Sequence, residues 1–219
     1  IEEVELDPPQ SGEVLVQIKA AGLCHSDLVA IDGERAKPMP MVIGHEAAGI
    51  VYKLGAEVER LAVGDHVVPS YVASCGRCDM CQEGRPALCH PATEANKAGT
   101  LIDGTTRLHN NGQRIYHHSG VAAFSEYAVI SQNALVKIDP KIPFEVAALF
   151  GCAVVTGVGS VVNTANVSPG ESVAIVGLGG VGLNALLASI ASGAGRVIAV
   201  DVKDKKTEDR QPVRCTQYF

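Results

Sequence analysis

The sequence has no surplus of basic residues, no basic stretch interleaved with aromatics, and no apolar run long enough to span a bilayer. Its 18 Lys and Arg against 24 Asp and Glu leave a net charge of −6, which argues against a nucleic-acid-binding face. Glycine or a charged residue breaks each apolar run well short of the roughly 20 residues that a membrane span needs. A signal-peptide pattern, an internal repeat and a low-complexity tract are also missing. Neither nucleic acid nor membrane is therefore expected as a partner, and the cytoplasm is the expected location. An initiating methionine is absent too. Ile1 leads straight into strand-like sequence, so the chain is expected to begin inside a longer protein.

What remains reads as a soluble, globular chain. Its 47% hydrophobic residues against 19% charged are too apolar for disorder, and 219 residues suffice for one large or two modest domains. Cysteine is well represented, at positions 24, 75, 78, 81, 89, 152 and 215. A chain this size with this much apolar sequence does not need disulfides, and four of the cysteines crowd into one short stretch. Cys75, Cys78, Cys81 and Cys89 therefore read as one closed, four-thiolate structural zinc site, with Gly76, Gly84 and Pro86 permitting the tight turns. An iron–sulfur cluster has overlapping spacings, and four unrelated cysteines are the bland alternative.

The first part of the chain is β-rich. Strands are expected at 14–19, 47–52 and 65–69, and again at 123–130 and 134–138, with glycines at short intervals as in a compact barrel or sandwich. Residues 74–111 lack periodicity and read as a metal-stapled excursion followed by a loop. The texture changes near Pro140. One helix is expected over 143–162, then a strand at 172–176, a glycine cluster, a helix over 181–192, and a strand at 196–200 ending on Asp201. That is a β-α-β unit with nucleotide-binding character. In Gly177-Leu178-Gly179-Gly180-Val181-Gly182 the glycines allow a tight turn and close approach of backbone to a pyrophosphate, and the helix N-terminus offers N–H groups. A lone G-x-G-x-x-G is a weak signal; here the preceding strand, the following helix and the acid ending the next strand strengthen it. Asp201 can accept hydrogen bonds from ribose hydroxyls and repel a 2′-phosphate, which favours NAD over NADP.

Cys24, His45 and Cys152 lie too far apart for spacing to associate them, and singly each has an ordinary reading as a buried thiol, a loop histidine and a small helix residue. Local context adds to them: His45-Glu46 is held between Gly44 and Gly49, and Ser26 follows Cys24 by two residues. Gly44-His45-Glu46-Ala47-Ala48-Gly49, continuing to Gly55 and Val58, resembles the signature of the zinc-containing alcohol dehydrogenases. Gly22-Leu23-Cys24-His25-Ser26-Asp27, the cysteine knot and Gly151-Cys152 match the same medium-chain dehydrogenase family in the same order, from about residue 4 to about 206.

The resemblance implies an α/β fold. A GroES-like β-barrel catalytic domain would occupy residues 1–150, and the first βαβ unit of a Rossmann domain, a doubly wound parallel sheet, residues 151–219. It implies a catalytic zinc held by Cys24, His45 and Cys152, with Glu46 as an alternative ligand, beside the structural zinc. Ser26 would take the alcohol proton. His25 would meet the coenzyme pyrophosphate, Thr156 and Val181 would neighbour the nicotinamide, and Lys206 would touch the ribose, although a solvated lysine explains Lys206 nearly as well. Val29 stands where members with a long proton relay carry histidine, so protons must leave by water or another route. Tyr71 matches a pocket wall.

The implied activity is hydride transfer between a primary or secondary alcohol and NAD, in an enzyme expected to be a homodimer or homotetramer at full length. One βαβ unit cannot bury both faces of its strands, however, and after Lys206 the matching stops. Two expectations follow: an NAD-dependent alcohol dehydrogenase seen in part, or a truncated zinc-binding remnant without that activity. In the second, the strand at 197–200 would present an edge open to another chain.

Overall fold

In the computed structural model the described residues are 1–202, together with the backbone of Gln217 and Tyr218. Lys206 and most of the divergent tail lie outside them. The chain divides into two compact units, Ile1–Gly151 and Cys152–Phe219.

The first unit is built on a five-stranded antiparallel sheet in the order Tyr127–Ser131, Glu13–Gly22, Glu46–Leu54, His66–Pro69, Leu135–Lys137. Alternation in these strands sends Val14, Val16, Ala47, Val51, Val67, Ala128 and Ile130 into one shared core. Register shifts at Leu15/Val16 and Ile18/Ala20 bend the long strand Glu13–Gly22 across its partner. Gly49 lets these two strands close up, because a Cβ there would run into the Gln17 carbonyl. A smaller sheet, in the order Glu5–Leu6, Leu108–Asn110, Gln113–His117, Met41–Val42, packs Leu108, Ile115 and Ala122 into a second core.

Residues 74–111 are more ordered than their lack of periodicity predicts. They carry the short helix Asp79–Gln82, the 3-10 turn Pro86–Leu88 and the helix His90–Ala98, with proline in its first turn and left-handed Gly99 (φ 68°) at its end. A hairpin then joins Leu108–Asn110 to Gln113–His117 through Asn111 and Gly112, both at positive φ. The single helix expected over 143–162 is broken. Phe144–Ala147 passes into the turn Ala148–Gly151, Cys152 leaves the helical region (φ −141°, ψ −72°), and Ala153–Gly159 runs on into a π-helical end, Ser160–Ala165.

In the second unit Ser172–Val176 pairs in parallel with Arg196–Val200, connected through the helix Gly180–Ala191. Ile175, Leu178, Leu186, Val197 and Ala199 form its core. The backbone of Gln217 and Tyr218 pairs with Ile198 and Ala199, so Arg196–Val200 is the middle strand of three rather than the expected edge. Among the described residues, no single helix is long and apolar enough to cross a membrane.

Candidate metal centres and nucleotide loop

The four cysteines of the knot converge, with their sulfurs within 4.8 Å of one another. Cys78 caps the helix Asp79–Gln82, which carries Cys81 one turn further, while the turn Pro86–Leu88 delivers buried Cys89. Gly76 and Gly84 take the left-handed conformation that these reversals require. Backbone N–H groups of Cys75 and Cys78 donate to the sulfurs of Cys89 and Cys75, each at 3.3 Å. Cys78 Sγ lies 3.6 Å from Cys81 Sγ and 3.9 Å from Cys89 Sγ, and the six described cysteines form no disulfide. The N–H groups of Arg77 and Cys78 help pull the Cys75 thiol down to about 6, whereas burial and then the Cys78 thiol push Cys81 up to about 11. Four sulfurs this close, with amides already directed at two of them, suit a thiolate-bound metal; the donor set fits zinc.

A second group forms where two elements meet. Cys24 caps the helix His25–Ile31, and Glu46 opens the strand Glu46–Leu54 immediately after His45. Cys24, His45 and Glu46 each offer a ligand atom within 4.8 Å of the others, and the last two are 3% and 2% exposed. Gly22 allows this closeness, since a Cβ there would stand 2.5 Å from Glu46 Oε2. Gly44 (φ 93°) is required for a similar reason, its face being filled by Phe124. Tyr71 stands edge-on to the His45 ring, with centroids 6.0 Å apart. His25 and Ser26 are exposed on the first turn after Cys24, and Val29 is half-buried on the same helix.

Asp27 organises this group. Its Oδ1 accepts from His45 Nδ1 at 3.0 Å, from His118 Nδ1 at 3.0 Å and from the Gly44 N–H at 3.2 Å, and its Oδ2 accepts from the Cys24 N–H at 3.0 Å. Burial alone would push this carboxyl up, but the His118, His45 and Cys24 hydrogen bonds outweigh it and hold Asp27 well below the usual carboxylate range. With Nδ1–H given to Asp27, His45 carries its lone pair on Nε2, the tautomer a metal ligand needs. The sequence gives Asp27 and His118 no separate role. An aspartate three residues after a helix cap reads as a capping residue, and nothing in its spacing marks His118.

The second unit places the glycine loop as the sequence predicts, between strand and helix. Gly177 is left-handed (φ 93°), and Gly182 has no room for a Cβ because the Gly177 carbonyl fills the space. Gly179 caps the helix Gly180–Ala191. A cleft of about 580 Å³ is lined by Gly177, Gly179, Gly180, Val181 and Gly182 together with Val176. Asp201 turns back to the loop, where its Oδ2 accepts from the Leu178 N–H at 2.7 Å. Thr156 is exposed on the helix Ala153–Gly159, next to Gly157, whose face packs on Val181 and Asn184. Buried Cys152 opens this unit, directly bonded to Gly151 of the first.

A thiol–imidazole–carboxylate group and a four-cysteine knot, carried on one glycine-punctuated β-unit, define a zinc-dehydrogenase type of domain. The family model described as the alcohol dehydrogenase GroES-like domain matches residues 10–143, and the chain belongs to that family. It is 44% identical over 209 residues to an S-(hydroxymethyl)glutathione dehydrogenase from Escherichia coli O1:K1 / APEC, covering 95% of this chain and 57% of that protein. A protein of the same description from Synechocystis sp. matches equally well, at 44% with the same coverage. Among solved structures, benzyl alcohol dehydrogenase from Acinetobacter calcoaceticus superposes with a TM-score of 0.91 at 36% identity, over 98% of this chain and 58% of that one. An alcohol dehydrogenase zinc-binding domain protein from Burkholderia ambifaria gives 0.93 at 36% identity, over 99% and 59%. The chain thus spans little more than half the length of the relatives it matches.

Proposed function

We propose that this chain carries the zinc sites and the opening of the coenzyme site of an NAD-dependent alcohol dehydrogenase. The reaction is hydride transfer between a primary or secondary alcohol and NAD. The observation that carries this reading is the Cys24, His45 and Glu46 group, with Asp27 on the far side of the imidazole. A purely structural metal protein needs the closed knot only. The second group mixes thiol, imidazole and carboxylate donors, and a zinc held by only three protein ligands there would keep a position for water or substrate.

In this reading Cys24, His45 and Cys152 hold the catalytic zinc and Glu46 is an alternative ligand. Gly151 is seated against the Pro69 carbonyl, and the peptide bond that follows limits where Cys152 can reach. Cys75, Cys78, Cys81 and Cys89 hold the structural zinc. Bound zinc would supply a Lewis acid for the alcohol oxygen, and NAD the acceptor for the hydride. Ser26 Oγ, exposed two residues past the Cys24 cap, takes the hydroxyl proton and hands it to water, since Val29 offers no ring nitrogen to continue a relay. His25, Thr156, Val181, the glycine loop, Asp201 and Lys206 are assigned to NAD. Asp201 supports NAD over NADP, since a 2′-phosphate would meet its carboxylate. A small-molecule alcohol or aldehyde is the partner, the whole enzyme is a homodimer or homotetramer, and the cytoplasm is its location.

Metal analysis and NADH titration test this reading. Two zinc ions per chain and saturable NADH binding are expected. One zinc would overturn the catalytic site. Two zincs without NADH binding would favour the second reading, a zinc-binding protein without dehydrogenase activity.

A further inference from the structure

Three elements meet at one carboxylate oxygen, one supplying the acceptor and two the imidazoles. Asp27 sits on the helix His25–Ile31, His45 lies just before the strand Glu46–Leu54, and His118 follows the strand Gln113–His117. Asp27, His45 and His118 are 2%, 3% and 4% exposed. The two imidazoles stand edge to face, 5.1 Å apart at 85°, and both direct Nδ1 at Asp27 Oδ1 at 3.0 Å. His118 is itself held rigidly: its carbonyl accepts from the N–H groups of Val121 and Ala122, and Ser119 after it is left-handed (φ 56°).

The Cys24 and Gly44 N–H groups already limit rotation of the Asp27 carboxylate about its Cβ–Cγ bond. A second imidazole on Oδ1, anchored to another strand, restrains it further. We propose that His118 is a positioning residue for the second metal group: it pins Asp27 so that His45 keeps its Nδ1–H on the carboxylate and its Nε2 lone pair aimed at the metal. Asp27 thereby couples the orientation of His45 to the turn at 118–120, a segment remote in sequence from every metal donor. The inference rests on the proposed role of His45 as a ligand.

The knot provides an internal control, because it binds a metal through residues that touch none of these three. Zinc release to a chromophoric chelator would be followed for the full chain and for His118→Leu and His118→Asn. Removing the direct hydrogen-bond partner of a metal ligand costs about 10–100-fold in metal affinity, and His118 acts through that partner. In His118→Leu one zinc should weaken by about tenfold, the lower end of that range, while the knot zinc is unchanged. His118→Asn keeps an N–H near the Nδ1 position and should recover most of the affinity. With cobalt in place of zinc, the visible absorption of the weakened site should change in His118→Leu and return toward wild type in His118→Asn. Unchanged affinity and spectrum in His118→Leu would overturn the inference while leaving the proposed function intact. Equal loss from both sites would assign His118 a merely structural role and overturn it as well. A wild-type chain that holds only the knot zinc would remove the proposed function itself, and with it the ligand that His118 is said to position.

Discussion

The His117 ring is 1% exposed; its Nε2 accepts the Arg107 N–H at 3.1 Å, and its Nδ1 has no partner among the described residues. Burial, and after it the nearby Arg107 charge, push its pKa from 6.5 down to about 4, against a smaller opposing effect of Asp103. Between those two values the unfolded chain binds the proton and the folded chain does not. The contribution is therefore complete above pH 6.5 and is lost as pH falls toward 4, up to about 3 kcal/mol. Urea unfolding of wild type and His117→Gln across this range should show a shallower acid loss in the variant; parallel curves would disprove the assignment. Arg107 beside it donates to both Glu13 oxygens, at 2.8 and 2.9 Å, with both side chains 8% exposed. Arg107→Ala would strand a buried carboxylate, and a loss of about 3–5 kcal/mol is expected in the same measurement. A loss below 1 kcal/mol would show that water reaches Glu13. At this scale the sequence was legible where chemistry is bound to a motif: the knot, His45-Glu46 and the Cys24 turn. Asp27 and His118 escaped because their meaning lies in one shared oxygen, which no spacing encodes.

Among elements, period-two alternation marked the strand Glu13–Gly22, whereas Glu46–Leu54, His66–Pro69 and Tyr127–Ser131 bury consecutive residues and were readable as short apolar runs. Two other readings failed for different reasons. The hairpin at 108–117 carries few apolar residues, yet its Asn111-Gly112 pair is a strong turn signal that outranks the weak alternation around it. The expected helix at 143–162 breaks at Cys152, where composition alone favours continuity and the backbone does not follow it. The glycine loop was readable through its context. Gly182 faces the Gly177 carbonyl, so Gly182→Ala must move either the loop or the helix Gly180–Ala191. NADH binding should weaken at least about tenfold, ~1.4 kcal/mol, with zinc content unchanged. Unaltered NADH affinity would mean that coenzyme does not use this turn.

For the molecule as a whole, the two proposed zinc sites differ in what they hold together. From Cys75 to Glu94 only Cys89 is buried, and the segment contributes no residue to any apolar core. Burial of side chains therefore cannot order it, and metal binding must supply the free energy that fixes its turns. Cys24, His45 and Glu46 instead sit on elements already secured by the main sheet and by the Asp27 hydrogen bonds. Losing the knot zinc should thus free one excursion without unfolding the sheet beneath it. Cys78→Ser provides the test, since it removes a knot ligand and leaves the second group untouched. Trypsin should then cut rapidly after Arg77, exposed in the knot, while the Arg85–Pro86 bond resists it and strands such as Glu13–Gly22 and Glu46–Leu54 stay protected. One zinc per chain should remain, and the helix His90–Ala98 should exchange its amide hydrogens faster, because its first turn follows directly from Cys89. If sheet and knot became susceptible together, the structural zinc would be stabilising the entire first unit, and the excursion could no longer be treated as a separately folding piece.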